Sequence, residues 1–282
     1  MKEPSSGFAL EDSTPVDLSG SVAVVTGGGR GVGRAIAQSL AGAGAAVAVV
    51  ARTEKELEET AESIRQRGGE ATPLPTDVTD PASVDRLARE TERRLGPVDL
   101  LVNNAGTCRA IGPVWEADVD DWRQDVESSL LGAFLCTRAF LAKMVERRFG
   151  RIINVSSYAA IRATPHMAAY GCAKAALLHF TNSVAAETAD HGISVFALTP
   201  GRVWTAMTKH MVESSAGQRW LDTDMRDSLA PERAGELAVF LASGRADALT
   251  GRFVHVLDDV HDLIRRVDEI RQDDLYVLRL RK

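Results

Sequence analysis

Short β-branched runs and helix-length amphipathic stretches alternate along the chain from Ser21 onward. Ser21–Val25 (SVAVV) is a continuous apolar run of the kind buried on both faces of a parallel sheet. VGRAIAQSLAGAG after it reads as a helix stopping at Gly42 or Gly44, and AAVAVV as a second strand. A charged helix ending at Gly68, a third strand to about Thr76, a helix over Pro81–Leu95 and the strand VDLLVNN continue the alternation. A long helix is predicted over Asp118–Arg148, then a strand (RIINVSS), a helix over Ala168–Asp190, a strand (ISVFALT), a helix opened by Pro231 and a last strand, GRFVHV. Seven strands alternating with helices, without a Pro/Gly/Ser linker, predict one α/β domain: a Rossmann-like, doubly wound parallel sheet with helices on both faces.

Three segments fall outside that rhythm. Residues 1–17 mix Pro, Ser and acids and read as a mobile arm, leaving 18–258 as the domain. Trp204–Leu229 is long for a loop and is a candidate lid. In the 259–282 extension, Val260, Leu263, Ile264, Val267 and Ile270 share a helical face, and DLYVLRLRK reads as a strand.

Composition narrows the function classes. With 33 Lys+Arg against 39 Asp+Glu the net charge is −6, which excludes a generally basic nucleic-acid binder. The 45% hydrophobic content is ordinary for a globular chain. Cys108, Cys136 and Cys172 are odd in number and widely spaced, so neither a disulfide framework nor a metal site is expected. No signal peptide or bilayer-length apolar run stands out, so a soluble cytoplasmic protein with no membrane partner is expected.

Candidate chemistry begins where the first strand gives way to a helix, at TGGGRGVG (Thr26–Gly33). Glycines there let the backbone approach a pyrophosphate, and the helix N-terminus supplies unpaired N–H groups. The strict G-x-G-x-x-G fingerprint is absent, as is the Lys-Ser/Thr of a P-loop, and a plain tight turn is the bland alternative for the loop alone. Further on stand NNAG (Asn103–Gly106), YGCAK (Tyr170–Lys174) and PGRVWT (Pro200–Thr205).

In this order and spacing, Thr-Gly-x-x-x-Gly-x-Gly with the three later motifs resembles the classical short-chain dehydrogenase/reductase family over residues 18–258. The resemblance implies hydride transfer between a nicotinamide and a carbonyl/alcohol pair. It places the cofactor on Gly27, Gly29, Arg30, Gly31, Val32, Gly33, Asp77, Val78, Asn103, Ala105, Gly106, Pro200, Gly201, Val203 and Thr205, with Tyr170 and Lys174. Where an NAD enzyme has a carboxylate ending the second strand, this chain has Ala51, followed by Arg52. Arg52, with Arg30, could pair with a 2′-phosphate, so NADP(H) is expected over NAD(H).

Tyr170 and Lys174 are four apart on a helix and share a face. An ammonium about 5 Å from a phenol, at an effective dielectric of about 20, favours phenolate by about 3 kcal/mol, so a lowered Tyr170 pKa is expected, suiting proton transfer. Ser157, thirteen positions earlier, matches the family's oxyanion-stabilising serine. Ser129 stands where the family has a water-holding Asn, which puts proton supply in question.

Cys108, Ile111, Trp115, Ile161, Met167, Trp204, Met207, Met211, Trp220 and Met225 are expected to wall the substrate pocket and to favour a bulky, lipophilic ketone, unless they pack on their own elements. Arg109, Arg162 and Arg202 could instead meet an acidic group, and His166 could touch substrate. The alternatives are a 3-oxoacyl carrier-protein reductase and a non-catalytic NADP(H)-binding or assembly module. The family resemblance implies a homo-oligomer, dimer or tetramer, paired through the helices that hold Ser129 and Tyr170.

Overall fold

A computed structural model describes residues 15–280. Seven strands form one parallel sheet in the order β3-β2-β1-β4-β5-β6-β7: β1 Val22–Thr26, β2 Ala46–Ala51, β3 Glu70–Pro75, β4 Leu100–Asn103, β5 Gly150–Val155, β6 Ile193–Thr199 and β7 Phe253–His255. Every pairing is parallel. The chain runs outward from β1 to β3 and then returns to place β4 on the other side of β1, so the strand order reverses between β1 and β4. At such a switch point the flanking loops part at the carboxyl ends of the strands and leave a crevice.

The helices linking these strands are α1 Gly31–Gly42, α2 Glu54–Arg65, α3 Pro81–Leu95, α4 Val119–Val126, α5 Gly132–Arg147, α6 Ala168–Glu187, α7 Ala206–Glu213, α8 Ser215–Trp220 and α9 Glu232–Ala242, followed by α10 Val260–Arg265 and α11 Val267–Gln272. Two apolar layers sandwich the sheet. Ile36, Leu40, Leu57, Phe196, Leu237 and Phe240 belong to one; Val24, Leu101, Phe140, Met144 and Ile152 to the other. By length and composition the helical run Val119–Arg147 could cross a bilayer, but its Cys136, Phe140 and Met144 are buried against the sheet.

Three expectations are corrected. The helix over 118–148 is interrupted by a π-helical turn at Glu127–Leu131, which shifts the register of its faces and brings Ser129 inward. The extension holds two short helices in place of one. Its predicted apolar face is nonetheless right, since Val260, Leu263 and Ile270 enter the core. Over its described residues, 274–280, the last segment is not a strand: Asp274 and Tyr276 have φ of 50° and 59°, incompatible with extended backbone, and one bond, Phe253 N–H to the Tyr276 carbonyl at 2.8 Å, ties it to β7. Most of the 1–17 arm lies outside the described residues.

Candidate active site

The glycine loop is shaped by contacts that leave no room for a side chain. A Cβ on Gly33 would lie 2.2 Å from the Gly27 carbonyl oxygen and 2.4 Å from Asn104 Nδ2, and Gly31 adopts φ of 56°. Thr26 Oγ1 staples this loop to the end of β4, donating to the Val102 carbonyl at 3.2 Å and accepting from Asn104 and Ala105 N–H at 2.9 and 3.1 Å. Arg30 caps α1 without any side-chain hydrogen bond to the first turn, so the N–H groups there face the crevice as an anion cradle. These features fit the pyrophosphate of a dinucleotide.

The crevice is a cleft of about 520 Å³. Of the expected residues, Gly27, Gly29, Arg30, Gly31, Val32, Gly33, Arg52, Asp77, Val78, Ala105, Gly106, Ser157, Tyr170, Lys174, Pro200, Gly201, Val203 and Thr205 all border it. Asn103 does not. Its amide turns into the sheet layer, donating to Thr137 Oγ1 at 3.1 Å and Asn154 Oδ1 at 2.9 Å, because adjacent strand residues point to opposite faces. Asn104, missed from sequence, borders the cleft instead and holds the Thr26 and Gly27 carbonyls at 2.9 and 3.2 Å.

On the β2 and β3 side of the cleft, Asp77 is held below the usual carboxylate range: burial acts the other way, but the Thr79 N–H and hydroxyl bonds and the Arg52 charge outweigh it. Arg30, expected to be open to a phosphate, is paired with Glu56 at 3.0 Å, which leaves Arg52 as the more available cation.

At the other end α6 carries Tyr170 and Lys174. Small residues, Ala169 and Ala173, are fully packed and let α6 sit close, while the backbone carbonyl of Val155 at the end of β5 accepts Lys174 Nζ at 2.8 Å. Burial pulls the Lys174 ammonium down to about 8. Burial likewise pushes the Tyr170 phenol up to about 12, with the Cys108 and Asp125 charges adding to it and the nearby Ser157 hydroxyl opposing it. The expected lowering of the phenol is therefore not found: burial penalises the phenolate, and the ammonium of Lys174, itself made costly by burial, does not reverse this. Ser157 Oγ also accepts from Ala159 N–H at 3.2 Å, which orients it.

Ser129 does not border the cleft; its hydroxyl is buried and has no partner. A Cβ on Gly106 would lie 2.8 Å from Ser129 Oγ and 3.5 Å from Lys174 Nζ, so both groups face the small space that this glycine keeps open.

Of the ten expected substrate walls only Met167, Met207 and Met211 border the cleft. Trp115, Ile161 and Trp204 are exposed, Cys108 is buried, and Trp220 stacks on His166 with ring centroids 4.8 Å apart. That stacking ties α8, within the candidate lid, to the segment before α6, where His166 holds φ of 67°. The cleft is also lined by Thr107, Gln124, Glu127 and Ser128, polar residues that sequence reasoning passed over. The only signal for them was an acid, Asp125, at a position that the helix turns inward.

The short chain dehydrogenase family profile matches residues 21–216. Galactitol 2-dehydrogenase of Rhizobium johnstonii is 40% identical over 245 residues, covering 85% of this chain and 94% of its own. A gluconate 5-dehydrogenase of Burkholderia cenocepacia, solved in complex with NADP and tartrate, superposes with a TM-score of 0.76 at 32% identity, covering 85% of this chain and 94% of its own. An actinorhodin polyketide ketoreductase variant solved with NADPH gives 0.77 at 32% identity, covering 84% and 95%. The motifs, the switch-point cleft and these likenesses agree: the chain belongs to the short chain dehydrogenase family, oxidoreductases of alcohols and carbonyls.

Proposed function

We propose that this protein is an NADP(H)-dependent reductase of a ketone with an apolar body, with Tyr170 as general acid. The observation that carries the reading is the convergence of Ser157, Tyr170 and Lys174 at one end of a cleft whose other end is the glycine loop. Bound NADPH would supply the hydride. Tyr170, protonated across the physiological range, hydrogen-bonds the substrate oxygen and gives its proton as charge develops there. Ser157 supplies a second hydrogen bond to the same oxygen. Lys174, anchored on Val155, holds a positive charge beneath the reacting groups below about pH 8. Ser129 Oγ and Lys174 Nζ face the space beside Gly106, where a bridging water would give the serine hydroxyl a partner and open a proton route.

NADP(H) over NAD(H) is supported by Ala51 at the end of β2, which carries no carboxylate, and by Arg52 at the cleft, and agrees with the NADP-bearing neighbours. Met167, Met207 and Met211 give the substrate's apolar part a deformable wall. A carrier-protein substrate would ask for a basic rim, which Arg162 and Arg202 at the cleft partly supply, while Arg109 does not border the cleft and faces Asp121 at 3.9 Å. A cofactor-binding module without turnover has no need for Ser157, Tyr170 and Lys174 gathered on one cleft. Pairing of two copies through α5 and α6 is supported by Leu131, the last residue of the π turn, and Phe134 in the first turn of α5, both exposed.

Mixing the protein with NADPH and a panel of ketones, with absorbance of the reduced nicotinamide as readout, tests the reading. Consumption with at least one ketone is expected; tight NADPH binding with no consumption by any ketone would favour the binding module.

A further inference from the structure

Asp125, near the end of α4, has no exposed surface. Its two oxygens are filled by the segment that follows β4. Arg109 N–H lies 2.9 Å from each, Ala110 N–H 3.0 Å from Oδ2, and Thr107 Oγ1 2.7 Å from Oδ1. Backbone N–H groups can only donate, so the group acts as an acceptor and the Thr107 proton points inward to it.

That commitment fixes the next bond. Thr107 Oγ1 and Ser128 Oγ are 2.9 Å apart, and either could donate by geometry alone. Thr107 has one proton, given to Asp125, so Ser128 is the donor. The other acceptors in reach, the Gln124 carbonyl for Thr107 at 3.5 Å and the Asp125 carbonyl for Ser128 at 3.4 Å, are more distant and also lie on α4. Thr107 and Ser128 both border the cleft, one residue after Gly106 and one before Ser129, at the end where Gly106 adjoins Lys174. Toward the cleft they offer oxygen lone pairs and no proton.

We propose that the Ser128–Thr107–Asp125 chain is a specificity element that selects ketones carrying a hydroxyl group close to the reacting carbonyl, and the corresponding diols in reverse. This rests on the carbonyl-reductase reading above and narrows it. A substrate O–H donates to the acceptor pair. An ether oxygen in the same place sets lone pair against lone pair, and a hydrocarbon leaves desolvated acceptors unpaired, an arrangement that discriminates more sharply than apolar fit does.

The test starts from the best ketone of the panel and compares its hydroxyketone form with the deoxy and O-methyl counterparts, using NADPH and the full-length protein. The hydroxyketone is expected to exceed both in kcat/KM by roughly tenfold or more. In Thr107→Val and in Ser128→Ala that ratio falls toward one, while Thr107→Ser, which keeps the hydroxyl, retains it. Equal kcat/KM for the three ketones, or a ratio that survives both substitutions, overturns the inference while leaving the carbonyl-reductase reading standing. A panel in which no ketone is reduced defeats that reading, and this inference with it.

Discussion

The Lys174 ammonium lies 5.7 Å from the centroid of the Tyr170 ring and spends one proton on the Val155 carbonyl. The pair is thus a neutral acid on the cleft wall, partly buried, beside a buried cation that is anchored on the end of β5.

Lys174 makes the free protein's stability depend on pH. Its folded-state value of about 8 lies below its ordinary 10.5, so the unfolded chain binds the proton more readily. Stability therefore rises as pH goes from about 8 to 10.5 and is lower by the whole linkage below 8, by about 3 kcal/mol at most. Denaturant melts across that range should show the rise in the wild type. Lys174→Met should lack that component, and parallel curves for the two proteins would contradict the assignment.

Arg52 should govern the choice of nucleotide. Arg52→Ala is expected to raise the KM for NADPH roughly tenfold and leave that for NADH nearly unchanged, the loss of one partly solvated charge-assisted contact. Arg30→Ala should do less, because that guanidinium is already shared with Glu56. Steady-state kinetics with both nucleotides decides between them.

Ser129→Ala removes a buried hydroxyl that has no protein partner, so its thermal midpoint should stay close to that of the wild type. If the hydroxyl supports proton supply to Lys174, kcat should nonetheless drop by roughly tenfold, with a larger solvent isotope effect. Unchanged kcat would remove Ser129 from the reaction.

Gly33→Ala should disable the glycine loop, since the added carbon meets the Gly27 carbonyl, which the fold holds in place. A loss of several kcal/mol, or of NADPH binding in a still folded protein, is expected by calorimetry and fluorescence titration.

Much of this arrangement could be read from residue order. Parallel-strand runs such as SVAVV are apolar on both faces, and the α3 boundaries, Pro81 and Leu95, follow from Asp80 as a capping residue and from Gly96. Glycine, Tyr and Lys spacing located the two ends of the cleft because each carries its own local geometry. What could not be read depends on tertiary context. The π turn at Glu127–Leu131 adds a residue to a helix whose periodicity looks regular, and it decides where Ser128 and Ser129 point. Asn103 and Asn104 are alike in chemistry and differ in face only. The tail DLYVLRLRK has strand composition, yet β7 spans three residues and offers it little to pair with. The sign of the Tyr170 shift depends on burial, which a pairwise charge argument leaves out.

The central claim is that the Tyr170 hydroxyl delivers the proton. Tyr170→Phe removes one oxygen and preserves the ring beside Lys174. With NADPH affinity retained, turnover of the best ketone should fall by about 10²- to 10⁴-fold, the usual worth of a positioned general acid. A Tyr170→Phe protein that binds NADPH and reduces that ketone at the wild-type rate would contradict the account.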